Sequence, residues 1–168
     1  MTMRRVVIDN CSLHKFVQVP GAYQAARRAI DSGDLEILYT HVTLDEASAT
    51  PDPELRDSLV HALTTLGRLV PTGAFILDLS KLGQARITDE AGTQSVEALR
   101  SKADRRSNVA KHSRDALVAI TARVEGCALL TDEKRRLPRR ARDEGIEVLD
   151  CRQLFAEIGF DLSAANRA

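Results

Sequence analysis

Hydrophobic positions along the chain follow two alternating patterns. Short apolar runs predict buried strands at 4–9 (RRVVID), 35–40 (LEILYT), 127–131 (CALLT) and 146–150 (IEVLD). Between these runs, apolar residues recur every three to four positions, as they do on one face of an α-helix. The pattern therefore predicts strands separated by helices over most of the chain.

The helical pattern is clearest at 53–70, where Leu55, Leu59, Leu63, Leu66 and Val70 form one apolar stripe. Further helices are predicted at 22–30, 41–49, 113–124, 133–145 and 152–160. The helix at 113–124 is apolar around most of its circumference, which predicts burial, whereas the helix at 133–145 is basic and disturbed by Pro138 near its start. Two segments are less regular: 74–79 fits a strand or the start of a helical arm, and 80–108 fits a loop with a helix near 95–106.

Strands that alternate with helices are typical of a three-layer α/β/α sandwich with a central, mainly parallel sheet. A chain of 168 residues suits one domain. We place that domain at 1–160, with a variable helical insertion near 80–108 and a C-terminal tail at 161–168.

The composition is that of a folded, soluble protein, with 43% hydrophobic and 29% charged residues. No apolar run approaches the ~20 residues of a membrane-spanning helix, and the beginning of the chain (MTMRRVVIDNCSL) is predicted to be a strand rather than a signal peptide. We therefore expect a cytoplasmic protein without a membrane partner.

The cysteines and histidines argue against disulfide and zinc chemistry. Cys11, Cys127 and Cys151 are odd in number and form no CxxC pair. The four histidines have no HxxxH or HxH spacing.

The net charge of zero conceals an uneven distribution. Residues 100–142 contain 13 Lys or Arg and five Asp or Glu, so the rest of the chain is acidic. Such segregation favours either a basic face that binds polyanions or an ordinary solvated helix surface.

Acidic residues from four segments are predicted to meet at one edge of the sheet. Asp9 ends the first strand, and Asp132 and Glu133 follow the strand at 127–131. Asp115 begins the buried helix, and Glu46 lies in the short helix after the second strand. In parallel α/β sheets, ligands bind beyond the carboxyl ends of the strands, where these positions converge.

Carboxylates packed together repel one another, and a divalent cation removes that conflict. Hard oxygen ligands suit Mg²⁺ or Mn²⁺, and a metal held in this way can orient a phosphodiester and activate a water. The pattern therefore predicts a metal site made by Asp9, Glu46, Asp115 and Asp132 or Glu133.

Each acid also has a purely structural interpretation. Asp9 is suited to cap a following helical turn, and Glu46 ends a possible capping box (TLDE). Asp115 sits favourably near a helix N-terminus, and Asp132 or Glu133 is suited to cap the basic helix. Their joint occurrence favours the site.

The same segments resemble those of a known family, the PIN-domain nucleases, which include the VapC-like ribonuclease toxins of bacterial toxin–antitoxin pairs. The segment VVIDNCSL is similar to the family's first strand, with Asp9 as its acid, and THVTLDEA to its second acidic element, with Glu46. The segment RDALVAITARVEGCALLTDE is the best match, with Asp115, Thr131 and Asp132 or Glu133 in the family's positions.

The resemblance covers roughly residues 4–70 and 109–158. Residues 80–108 do not match, and Asn10 stands where the family commonly has a hydroxyl residue after the first acid. Asn10 keeps a polar support at that position.

The resemblance implies Mg²⁺- or Mn²⁺-dependent hydrolysis of RNA, with catalytic roles for the acids and a Thr131 hydroxyl that positions a water or steadies a carboxylate. It also implies a homodimer and an antitoxin protein as partners. Basic residues are available to hold the RNA backbone: Lys111, Arg114, Arg135, Arg136, Arg139 and Arg140.

Two alternatives remain at this stage. A degenerate PIN-like module would bind RNA or a protein without cleaving it. A receiver-like signalling domain would use Asp78 of the FILDLS segment as a phosphate acceptor, although its first strand would end in one acid rather than two.

Overall fold

The computed structural model describes residues 3–76, 79–87, 89–100 and 109–165, and only the backbone of 109–112. Asp78, the phosphate acceptor of the receiver alternative, and the side chain of Lys111 lie outside the described residues.

Parallel strands form a single sheet in the described part of the chain. Its order is β3-β2-β1-β4-β5, and every neighbouring pair is parallel. Central β1 pairs through Val6 with Ile37 on one side and Ala128 on the other. The strands are β1 (Arg4–Ile8), β2 (Leu35–Tyr39), β3 (Gly67–Leu69), β4 (Ala128–Leu130) and β5 (Val148–Leu149).

Helices connect the strands and cover both faces of the sheet. They are α1 (Asn10–Gln18), α2 (Ala22–Asp31), α3 (His41–Ser48), α4 (Pro53–Leu66), α5 (Glu90–Leu99), α6 (Val109–Val124), α7 (Leu137–Asp143), α8 (Cys151–Glu157) and α9 (Leu162–Ala165). The predicted α/β class with a parallel central sheet is confirmed.

Alternate residues of β1 face two separate hydrophobic layers. Val6 and Ile8 pack into the layer built by α1, α2, α4 and α8, whereas Val7 packs into the layer built by α5, α6 and α7. All three side chains are at most 1% exposed. The sheet is therefore buried on both faces, which explains why its strands are nearly continuous apolar runs.

The predicted helix at 53–70 is too long. Helix α4 ends at Leu66, and the next three residues form β3 against β2. At Gly67 a Cβ would lie 2.7 Å from Tyr39 Cδ1 and 2.8 Å from the Leu63 carbonyl oxygen, so only glycine allows this close approach. The apolar stripe continues to buried Val70, and periodicity alone does not reveal the change from helix to strand.

The basic helix is shorter than predicted, because α7 begins at Leu137 and not at 133. Pro138 lies in its first turn, where the missing N–H costs no helical hydrogen bond. The insertion helix also differs: α5 begins at Glu90, after Asp89 Oδ1 accepts a hydrogen bond from the Gly92 N–H. Residues 101–106 of the predicted helix lie outside the described part.

Two helices were not predicted. The first, α1, directly follows Asp9, and the second, α9, occupies four residues of the predicted tail and buries Leu162. No helix in the described ranges combines the length and apolarity needed to cross a membrane.

Candidate functional site

A cleft of about 910 Å³ opens beyond the carboxyl ends of β1 and β4. Acidic residues lie in the same cleft as basic ones, with two leucines among them. Its lining residues are Asp9, Asn10, Cys11, His14, Glu46, Leu99, Asp115, Glu133, Lys134, Arg135, Arg136, Leu137 and Arg140.

Asp9 joins the end of β1 to the start of α1. Its backbone N–H donates to the Leu130 carbonyl oxygen at 3.0 Å, which extends the β1–β4 pairing by one residue. Its side chain caps α1, because Oδ1 accepts a hydrogen bond from the Asn10 N–H at 2.8 Å. Asp9 therefore both caps α1 and lines the cleft, and it is only 7% exposed.

The other carboxylate oxygen of Asp9 receives two side-chain donors. Thr131 Oγ1 and Cys11 Sγ each lie 2.9 Å from Asp9 Oδ2, and the two donors are 3.2 Å apart. Burial of the sulfur, followed by the nearby charge of Asp9, raises the pKa of the Cys11 thiol to about 12. The thiol therefore stays protonated at neutral pH and acts as a hydrogen-bond donor.

Thr131 also orders the turn that follows β4. Its Oγ1 accepts a hydrogen bond from the Glu133 N–H at 3.2 Å while it donates to Asp9. One buried hydroxyl thus connects the first acid to the backbone of the last.

The structure separates Asp132 from Glu133, which the sequence left as alternatives. Glu133 lines the cleft, whereas Asp132 is not among the lining residues. The carboxylate of Asp132 accepts a hydrogen bond from Ser12 Oγ at 2.9 Å and a longer one, 3.4 Å, from the Cys151 N–H. Of the two alternatives, Glu133 is therefore the one that lies on the cleft.

Glu46 and Asp115 reach the cleft from two different helices. Helix α3, which carries Glu46, is tied to β1 because buried Thr43 Oγ1 donates to the Ile8 carbonyl oxygen at 3.2 Å. Helix α6 carries Asp115 and is buried from Ala116 to Ala122, which packs the half of the helix after Asp115 against the sheet.

The basic part of the cleft comes from α7 and the segment before it. Of the six predicted RNA-binding residues, Arg135, Arg136 and Arg140 line the cleft. Arg140 also donates to the Leu99 carbonyl oxygen at 3.2 Å, which ties α7 to the end of α5. Arg114 and Arg139 are exposed and are not lining residues.

Sequence reasoning missed Cys11, His14, Lys134 and the two leucines of the lining. Residues 10, 11 and 14 share one face of α1, so a helix predicted directly after Asp9 would have identified them. Lys134 belongs to the recognised basic run, but the residues that surround it depend on the fold. Leu99 carried no signal, because its helix lies in the unmatched insertion.

The donor set fits a hard divalent cation by its chemistry. The cleft offers carboxylate oxygens, and Asn10 Oδ1 is a buried oxygen with no hydrogen-bond partner among the described residues. Within the same residues, no three His, Cys, Asp or Glu side chains stand close enough to form a preformed metal site. The acids therefore share the cleft without forming a closed coordination sphere.

No protein-family model and no curated protein matches the sequence. Among solved structures, VapBC2 from Rickettsia felis bound to a DNA fragment from its promoter has a TM-score of 0.52 and 12% sequence identity, covering 87% of this chain and 98% of that one. FitAcB from Neisseria gonorrhoeae has a TM-score of 0.42 and 17% identity, covering 86% of this chain and 96% of that one. At these identities the similarity to the VapBC2 structure shows that the chain has the same type of α/β fold.

Proposed function

We propose that the protein is a ribonuclease that depends on Mg²⁺ or Mn²⁺ and hydrolyses RNA phosphodiester bonds in the cleft. The observation that carries the proposal is that Asp9, Glu46, Asp115 and Glu133 line the same cleft as a row of basic side chains. Carboxylates in this number suit a divalent cation, and cationic groups beside them suit a phosphate backbone.

The acids have separate tasks in this proposal. Asp9, Glu46, Asp115 and Glu133 would hold the metal, which when bound supplies a Lewis acid and an activated water. Thr131 fixes the Asp9 carboxylate through its hydrogen bond to Oδ2. Asp9 is thereby held in one orientation before any ligand arrives, which reduces the entropic cost of binding.

The basic residues bind and orient the substrate. Lys134, Arg135, Arg136 and Arg140 line the cleft and contact phosphates, which gives affinity without sequence selectivity. No Phe, Tyr or Trp lines the cleft in the described part of the chain, so stacking platforms for bases are few there. The proposed substrate class is therefore RNA recognised mainly through its backbone.

The proposal is tested by incubating purified protein with end-labelled RNA and Mn²⁺, then repeating the assay with EDTA and with Asp9→Asn. Cleavage that requires both the metal and Asp9 supports a nuclease. RNA binding without cleavage supports the degenerate module instead. Labelling of Asp78 by acetyl phosphate, with no effect on RNA, supports the receiver alternative.

A neighbouring residue of Glu46 provides a matched control. Asp45 is exposed, pairs with Lys81 at 2.7 Å and does not line the cleft. Glu46→Gln is expected to lower the rate of cleavage by at least about tenfold, the lower end of the losses measured for residues that orient metal ligands. Asp45→Asn is expected to keep the wild-type rate. Equal activity of both variants would contradict the assignment of Glu46.

We further propose that this nuclease is the toxin of a toxin–antitoxin pair, as the family resemblance implies and as the similarity of its fold to the VapBC2 structure supports. An antitoxin protein and a second copy of the chain would be its partners. Growth arrest on expression, relieved by a small protein encoded beside it, tests the toxin role. Normal growth with an active enzyme would limit the proposal to the nuclease.

A further inference from the structure

Asp132 is held away from the cleft by groups from two distant segments. Ser12 Oγ, on α1, donates to Asp132 Oδ2 at 2.9 Å, and the Cys151 N–H, at the start of α8, lies 3.4 Å from Oδ1. Ser12 and Cys151 are both fully buried. Their buried polar contacts therefore join α1, the turn after β4 and α8 at a single carboxylate.

Two of the segments that meet at Asp132, namely α1 and the turn after β4, lie beside acids of the cleft. Ser12 lies three residues after Asp9, and Asp132 lies one residue before Glu133. A parallel connection exists through Thr131, which donates to Asp9 and accepts from the Glu133 N–H. The turn that presents Glu133 is thus attached through the two residues before it, Thr131 to Asp9 and Asp132 to α1.

We propose that Asp132 is a positioning residue whose bond to Ser12 places Glu133 opposite Asp9 for metal binding. The inference rests on the proposed function and replaces the sequence-based view of Asp132 as a ligand. Loss of the Ser12–Asp132 bond frees the turn to move, so that Glu133 occupies its binding position for a smaller fraction of the time. Partners that orient metal ligands typically contribute about tenfold to affinity.

The test measures Mn²⁺ affinity by calorimetry on the RNA-free protein, together with RNA cleavage and the melting temperature. Ser12→Ala and Asp132→Ala are each expected to weaken Mn²⁺ binding by about tenfold, and the double variant by no more than the worse single variant. Asp132→Asn keeps a carbonyl acceptor for Ser12, so its Mn²⁺ affinity is expected to lie between those of the wild type and Asp132→Ala. It also provides the test if Asp132→Ala fails to fold.

The chain offers a matched control pair at the other end of the strands, away from the cleft. Ser32 Oγ donates to Asp34 Oδ2 at 2.6 Å, near the start of β2. Ser32→Ala is expected to leave Mn²⁺ affinity unchanged. If Ser12→Ala also left the Mn²⁺ affinity unchanged, the inference would be overturned. That result would fit Asp132 as a direct metal ligand, because only Asp132→Ala would then weaken Mn²⁺ binding.

A lower melting temperature in Ser12→Ala and Asp132→Ala with unchanged Mn²⁺ affinity would mean a purely structural role and also overturn the inference. A wild-type protein that neither binds Mn²⁺ nor cleaves RNA would overturn the proposed function and this inference together.

Discussion

The hydroxyl of Thr131 donates to the carboxylate of Asp9 at 2.9 Å, although the two residues are 122 positions apart in the sequence. They are brought together because β1 and β4 are adjacent parallel strands, paired up to Ile8 and Leu130. Each residue directly follows its strand, so the sheet register alone places both side chains at the same edge. This contact links the first acid of the site to the segment that carries the last.

Replacing Thr131 with Val is expected to destabilise the protein by about 1–3 kcal/mol, the usual cost of leaving buried polar groups unpaired. Valine has nearly the same shape, but it removes a donor from Asp9 Oδ2 and the acceptor of the Glu133 N–H. Urea denaturation at constant slope measures the change. Thr131→Ser retains the hydroxyl and serves as the control, and a Val variant as stable as the Ser variant would contradict the prediction.

The Cys11 thiol is expected to react slowly with iodoacetamide although the residue is exposed. Its pKa is raised to about 12 by burial of the sulfur and by Asp9, so the reactive thiolate is scarce at pH 8. Against an ordinary thiol with a pKa of about 8.5, labelling should be at least ~100-fold slower.

Site-resolved mass spectrometry of alkylated Cys11 checks this rate, with the urea-unfolded chain as the reference. The rate is expected to rise by about tenfold per pH unit between pH 8 and 11, because the thiolate fraction grows in that proportion below the pKa. Equal rates in the folded and unfolded chain would contradict the raised pKa of the Cys11 thiol.

The sequence predicted the sheet edge at which the acids lie, but not the direction of every side chain. Asp9 follows an apolar run, and Glu46 lies in the helix after the second run, so local pattern and the rules of parallel sheets were sufficient to place them. Asp132 and Glu133 are neighbours with equal local signals. Only Glu133 lines the cleft, while Asp132 accepts a hydrogen bond from Ser12, 120 residues away, and no local periodicity encodes this contact.

The elements that prediction missed have a similar cause. Strand β3 exists because Gly67 allows the chain to pass Tyr39 closely and pair with β2, while its apolar residues continue the stripe of α4. Helix α1 follows β1 after a single residue, so the apolar pattern of the helix merges with that of the strand. Tertiary contacts rather than propensity decide both boundaries.

Arg135 is expected to contribute one phosphate contact, because it lies on the cleft and is exposed. Arg135→Ala should weaken RNA binding similarly for all sequences and reduce the slope of log K against log salt by about 1. Both effects are checked by fluorescence anisotropy with short RNAs. Salt is varied between about 50 and 200 mM, a range in which such slopes are measurable.

The control for Arg135 is Arg142, an exposed arginine of α7 that does not line the cleft. Both substitutions remove one positive charge, so a general electrostatic effect would alter the two slopes equally. An unchanged slope for Arg135→Ala would place the RNA on another surface, and an equal loss for Arg142→Ala would mean that Arg135 contributes only to the general electrostatic field.

Glu36 is expected to make the stability depend on pH at the amino end of the sheet. Burial alone would raise the pKa of Glu36, but hydrogen bonds from Arg5 at 2.6 Å and Arg68 at 2.7 Å outweigh it and hold the pKa below its usual value. The folded state therefore favours the charged form. Its contribution is complete above the unfolded pKa of about 4.3 and disappears as the pH falls through the folded pKa.

The variant Glu36→Gln is therefore expected to be less stable than the wild type by about 1 kcal/mol at pH 7, a value suited to partly exposed ion pairs, and nearly equal to it below the folded pKa. Guanidinium chloride would screen the pairs, so the comparison uses urea between pH 7 and 3. Asp31→Asn is the control, because Asp31 forms an exposed pair with Arg27 within one helix. This substitution should change the stability by less than about 0.5 kcal/mol. If the wild type and Glu36→Gln lose stability in parallel as the pH falls, the two arginines do not hold Glu36 in its charged form.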